Sequence, residues 1–266
     1  MQVQSLRKIE GFLLVFVTIS SLGILFILSP IIALFISADP ETFSQVWLQD
    51  NVFSRQAYPA LLLTIQASIT STLILLFIGI PTAYLLARYS FKGKQFIEGL
   101  IDVPLMIPHT IVGIMILLAY GRNGLFSDLP HILGLSIENS FWGIVAAMLF
   151  VSFPIMIDTL KLGYEKISVS LEFVARSLGA SRWITFIKIT LPLLLPNIIV
   201  GFLLSWARAL SEVGSILIVA YYPKTINVLI YEWFNTYGLR YTTSLSSVVV
   251  LLSLFAFIGI RVLFKK

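Results

Sequence analysis

The chain has 266 residues, of which 58% are hydrophobic and only 12% charged, and its formal net charge is +5; mean hydropathy is +0.96. A soluble domain carries roughly 25% charged residues, so a water-soluble globular fold is excluded and a polytopic, all-α membrane protein is expected. Without cysteine there are no disulfides, thiol nucleophiles or thiolate metal sites, and two isolated histidines, His109 and His131, form no metal-binding motif.

A bilayer span needs about 20 apolar residues at roughly 1.5 Å rise each. Six stretches qualify, taken as one transmembrane domain over residues 1–266. Residues 11–36 carry no charge and follow Arg7 and Lys8. This run is too long for a signal-peptide core of roughly 7–15 residues, so a retained helix is expected. Residues 57–87 form a long second span, with Gly79 and Pro81 expected to kink it. The third span, 103–120, is short; it contains His109 and two prolines, Pro104 and Pro108, that remove helix hydrogen bonds. Residues 140–157 form the fourth span. The fifth, 189–222, is interrupted by Arg208 and Glu212, and the sixth, 241–260, lies between Arg240 and Arg261.

Basic residues orient the spans, because Lys and Arg collect on the cytoplasmic side. With a cytoplasmic N-terminus, thirteen fall inside: Arg7 and Lys8; Arg88, Lys92 and Lys94; Lys161, Lys166, Arg176, Arg182 and Lys188; Arg261, Lys265 and Lys266. Only Arg55, Arg122, Lys224 and Arg240 fall outside. Both termini are therefore expected inside a plasma membrane. The positive charge is accounted for by topology, and no nucleic-acid partner is expected.

Arg208 and Glu212 stand i, i+4 and form either a neutralised intrahelical pair or part of a conduit. His109 is either a helix-contact residue or a donor lining the pathway. Ser244, in the small-residue stretch 244–247, either packs or offers a hydroxyl to the pathway. The alternative is a proton-coupled secondary transporter using His109, Arg208 and Glu212, which leaves the amphipathic loop below unexplained. An intramembrane enzyme would need a nucleophile–base set, and these groups do not supply one. Trp142 and Trp233 are expected near the outer interface, and the aromatic run 231–237 either contacts an outside partner or anchors in the membrane.

The longest inside segment, about 161–188, includes EFVARSLGASRWITFIKITLP at 172–192. Leu171, Val174, Ala175 and Leu178 fall on one helical face. Ser170 is the expected N-cap, Glu172 and Arg176 an i, i+4 pair, and Gly179 the residue just past the helix end. A second helix is expected from Trp183. The pattern suits a helix lying in lipid headgroups or one that docks a cytoplasmic partner.

The segment resembles the cytoplasmic loop of ABC importer permeases, of form E-A-A-x3-G-x9-I-x-L-P. Ala175, Gly179, Ile189, Leu191 and Pro192 occupy matching positions, while Phe173 replaces the motif glutamate and Val174 the first alanine. IDVPLMIPHTIVGI (101–114) and SWARALSEVGSILIVAYYP (205–223) are similar to permeases for tetrahedral oxyanions, the molybdate/tungstate type foremost and sulfate next. The resemblance implies a homodimer of six-helix subunits. It also implies two cytoplasmic ATP-binding subunits that hold ATP and Mg, an extracytoplasmic oxyanion-binding protein, and a coupling helix between the fourth and fifth spans. Leu171, Glu172, Phe173, Ala175, Arg176, Leu178, Gly179 and Ala180 would then dock the ATPase by apolar fit, with Glu172 and Arg176 at the rim. The chain itself contains no G-x-x-x-x-G-K-[ST] motif, so it is expected to have no catalytic role, cofactor or metal of its own.

Overall fold

The computed structural model describes residues 2–263, with side-chain surroundings for residues 11–255 and 257–259. Lys265 and Lys266 lie outside the described residues, as do the side chains of Arg7, Lys8 and Arg261. The described residues are helical and contain no strand. They divide into two compact units, one ending at Arg55 and resuming over Glu232–Gly259, the other built on Gln56–Tyr231.

The first unit holds α1 (Gln2–Ser37), α2 (Pro40–Trp47) and α13 (Leu239–Leu263), with the start of α3 (Val52–Arg88) and the end of α12 (Ile226–Tyr237). Helix α1 exposes apolar side chains on all sides, as suits a helix whose solvent is hydrocarbon. Asp39 caps α2, accepting from the Thr42 amide at 3.1 Å. The Trp47 indole donates to the Ser244 carbonyl at 3.1 Å. Phe53 stacks on Tyr241 at 4.3 Å and meets Trp233 edge-on at 5.3 Å. Trp233 is thus buried in an aromatic cluster.

The second unit contains the rest of α3, then α4 (Lys94–Asp102), α5 (His109–Tyr120), α6 (Asp128–Ile132), α7 (Phe141–Lys166), α8 (Val169–Ser177), α9 (Arg182–Thr185), α10 (Leu191–Leu210) and α11 (Gly214–Val219). Helix α7 is its axis. Its upper half packs Ile144, Met148 and Val151 against Val112 of α5 and Ile216 of α11. Its lower half packs Met156, Leu160 and Tyr164 against Leu75 of α3 and Leu194 of α10. Polar clips fix the register. The Trp206 indole donates to Ser68 Oγ at 3.0 Å, and the Ile226 amide to Thr64 Oγ1 at 2.8 Å. Such bonds matter in lipid because no water replaces them.

Among the described residues, five helices are long and apolar enough to cross a membrane, and a sixth is obtained if one bent pair counts as a span. That pair is the expected third span. The chain turns through 117° between Lys94–Leu105 and His109–Tyr120. The break falls where Pro104 and Pro108 remove hydrogen bonds, with a 3₁₀ turn at Val103–Leu105. Helix α5 has 12 residues, roughly 18 Å at ~1.5 Å each, short of the ~30 Å hydrocarbon core. The expected fifth span is also broken: α10 ends at Leu210 and α11 starts at Gly214. Pro81, expected to kink α3, is carried within an unbroken helix.

Candidate functional site

Two clusters gather almost all the residues singled out in the sequence. The first surrounds α8. The helix starts at Val169 with Ser168 as N-cap, two residues before the expected Ser170, and the two serine hydroxyls bond to each other at 2.7 Å. Gly179 follows the C-cap Leu178 with φ +92°. The Gly179 amide donates to the Arg176 carbonyl and the Ala180 amide to the Ala175 carbonyl, both at 3.1 Å, which is a Schellman closure. It needs a left-handed residue, and only glycine adopts that conformation without strain. Helix α9 then passes through a π-helical turn, Phe186–Thr190, directly into α10.

The expected Glu172–Arg176 pair does not form. Glu172 Oε1 instead accepts from Arg88 Nε at 3.0 Å and Nη2 at 2.9 Å, and from Thr190 Oγ1 at 3.2 Å. The physical reason is charge burial: Arg88 is 7% exposed and needs a carboxylate, whereas Arg176 is exposed. Arg176 lies over the Phe173 ring at 5.8 Å. Glu172, 12% exposed, therefore sits on the inner side of α8, not at the rim of a docking surface. The apolar face turns outward, with Leu178 84% exposed and Leu171 and Val174 also open. Leu171, Val174, Ala175, Leu178, Ala180 and Ile189 line an open groove of about 440 Å³.

The second cluster joins the two helix breaks. Glu212 is 1% exposed. Its Oε1 accepts from the Ser215 amide at 2.9 Å and hydroxyl at 2.8 Å. Its Oε2 accepts from His109 Nδ1 at 2.6 Å and Arg208 Nη2 at 3.1 Å. His109 remains 43% exposed and Arg208 22%. The Arg208–Glu212 contact is present, but Glu212 lies in the turn beyond α10 and the pair is completed by a third group from α5. Asn227 Nδ2 secures the break by donating to the Leu210 and Glu212 carbonyls at 2.7 and 3.1 Å. Gly214 permits the approach of α5, since a Cβ there would lie 2.7 Å from His109 Cβ. Ser244 belongs to the first unit, where it is fully buried and its hydroxyl makes no hydrogen bond among the described residues.

Arg88, Thr190, Ser215 and Asn227 were not singled out in the sequence. Arg88 appeared there as one topology charge among thirteen, and nothing local marks its partner 84 residues away.

An apolar groove and broken helices with ionic groups suit a transport protein, and comparison with known proteins decides which kind. Residues 79–266 match the family model for the binding-protein-dependent transport system inner membrane component. The chain belongs to this family. It is accordingly the multi-pass membrane permease of an ABC importer, and family membership does not support the proton-coupled alternative. The permease is 43% identical over 249 residues to the molybdate/tungstate transport system permease protein of Thermococcus kodakarensis, covering 94% of each chain. It is 34% identical to a probable sulfate transport system permease protein of Chlorokybus atmophyticus, over 92% of this chain and 86% of the other. Its fold matches the crystal structure of a bacterial alginate ABC transporter in complex with an alginate pentasaccharide-bound periplasmic protein, with TM-score 0.70 and 20% identity over 96% of both chains.

Proposed function

We propose that this permease carries a tetrahedral oxyanion, molybdate or tungstate, into the cytoplasm by ATP-driven alternating access. Two copies form the membrane conduit, each with six spans when the bent pair counts as one, and both termini are cytoplasmic. Each α8 inserts into a cytoplasmic ATP-binding subunit, which holds ATP and Mg and performs the hydrolysis. An extracytoplasmic binding protein delivers the anion. The relatives named for molybdate/tungstate and for sulfate support the oxyanion class, and the neighbour crystallised with its periplasmic protein supports the delivery partner.

The observation that carries the docking role is the inverted burial of α8. Its carboxylate is held inward by Arg88 while Leu171, Val174 and Leu178 face out beside Ala180 and Ile189. A helix resting in headgroups buries a convex apolar stripe. Here the stripe forms one wall of a groove, which suits the knob of a partner subunit. In the conduit, Arg208 and His109 offer donors while Glu212 tempers their charge. A pathway needs weak attraction of this sort, because a strong anion site would retain the dianion.

Leu178→Glu places a charge in the groove and leaves the spans untouched. The ATP-binding subunit is expected to be lost from the purified complex while the permease still inserts in the membrane. Vesicles holding the permease alone should take up no molybdate under a proton gradient. Uptake there, or a retained ATPase in the variant, would overturn the reading.

A further inference from the structure

Arg88 is the last residue of α3, and its guanidinium gathers three other parts of the second unit. Nε and Nη2 both donate to Glu172 Oε1 on α8, at 3.0 and 2.9 Å. Nη2 also donates to the carbonyl of Ile167, the C-cap of α7, at 3.0 Å. Thr190, which leads into α10, donates its hydroxyl to the same Glu172 oxygen at 3.2 Å. Tyr84, one turn before Arg88, packs edge-on against Tyr164 of α7 and against Phe186 of the π-helical turn, both at 5.4 Å. Both members of the ion pair are nearly sealed from solvent, with 7% and 12% of their side chains exposed.

Little of either charge is exposed, although a cavity of about 200 Å³ opens beside the pair, so each partner is the other's main counter-charge. The planar fork serves two acceptors in different directions, which a lysine ammonium does not reproduce. Helix α8 has no buried residue of its own and so little apolar packing to hold its angle. Its orientation is set by this knot, on the side opposite the groove.

We propose that Arg88 is a positioning residue for energy coupling: through Glu172 it makes α8 and the ends of α3, α7 and α10 move as one body. Displacement of α8 by the ATP-binding subunit then reaches the spans. This inference rests on the docking reading of α8. Without the knot, α8 swivels while still seated on its partner, and hydrolysis runs without moving the conduit.

The test uses the complete transporter in vesicles with its binding protein, measuring molybdate uptake and ATP hydrolysis in the same sample. Arg88→Gln is expected to keep the ATP-binding subunit bound and hydrolysing, while molybdate carried per ATP falls about tenfold or more. Arg88→Lys, which keeps the charge but loses the fork, should give an intermediate ratio. A wild-type ratio in Arg88→Gln overturns the proposal. If that variant fails to assemble, Arg88→Lys decides: a lowered ratio supports coupling, and a wild-type ratio overturns it. The Leu178→Glu variant fails or succeeds independently. ATPase retained there sinks the docking reading itself, whatever Arg88 does.

Discussion

At α8 the arginine and the carboxylate are both mostly covered, with 7% and 12% of their side chains exposed, and every strong donor in the knot comes from protein. At the helix breaks only the carboxylate is buried, with Glu212 1% exposed beneath Arg208 and His109, which are 22% and 43% open. The two clusters use the same chemistry for different ends. A pair sealed on both sides fixes geometry. A buried anion under part-open donors keeps Arg208 and His109 in place while leaving part of each available to something outside the protein. Partner exposure, more than ion-pair distance, separates a brace from a candidate anion surface in this chain, because the Arg–carboxylate contacts are 2.9 and 3.1 Å.

Removing Glu212 is the strongest way to break that comparison. Glu212→Ala strips acceptors from Ser215, His109 and Arg208 together. The buried Ser215 amide and hydroxyl are then left without their acceptor, at about 1–3 kcal/mol each, so a large drop in unfolding temperature and yield in detergent is expected. Arg208→Ala should behave differently. Glu212 keeps its bonds from Ser215 and His109, so stability falls less, while molybdate uptake falls clearly. Equal destabilisation by both variants would mean that the second cluster is a brace like the first.

Gly179 tests the brace side at a smaller scale. Nothing lies within 4 Å of a Cβ built there, so substitution introduces no clash and acts only through the backbone at φ +92°. A β-branched residue in that region costs about 1–3 kcal/mol. Gly179→Val is therefore expected to open the Schellman turn and swing Ala180 away from the groove. Helix content and membrane insertion should stay at wild-type levels by circular dichroism and fractionation, with reduced recovery of the ATP-binding subunit. Normal recovery would show that the turn is dispensable for docking.

Sequence periodicity and glycine placement were good guides to the loop. The apolar face of α8, the glycine after its C-cap and the run into α10 lie where the pattern put them. Local pattern could not say which way that face points, because burial depends on Arg88, and the pairing of Arg88 with Glu172 is a tertiary event. The i, i+4 rule failed at Glu172 for the same reason, since a buried guanidinium outcompetes an exposed one for a carboxylate. The breaks at Pro104–Pro108 and at Ser211–Val213 divided two expected spans. Hydropathy sums over such breaks without registering them, and Gly214 and Asn227 act only once α5 and α12 are brought alongside. The packing of Phe53, Tyr237 and Tyr241 around Trp233 was likewise invisible to local pattern, because Phe53 is distant in sequence.

Asp39 supplies the opposite extreme, a carboxylate with solvent all round, and the smallest expected effect. Its Oδ2 accepts from the Thr42 hydroxyl at 2.5 Å and from the Thr42 amide at 3.1 Å. The Thr42 hydroxyl is the main reason its pKa lies below the ordinary aspartate value, followed by the Thr42 amide. A depressed folded-state pKa means that the charged cap stabilises α2 fully above the unfolded aspartate value of about 3.9. That contribution is lost as pH falls through the lower folded value. Asp39→Asn still caps the helix but no longer titrates. Over this acid window the wild-type protein should lose a small part of its thermal stability that the variant does not lose. Glu212→Gln should leave that acid-dependent difference unchanged, because Asp39 alone carries it. If Asp39→Asn follows the wild-type pH profile through the window, the cap contributes nothing through its charge.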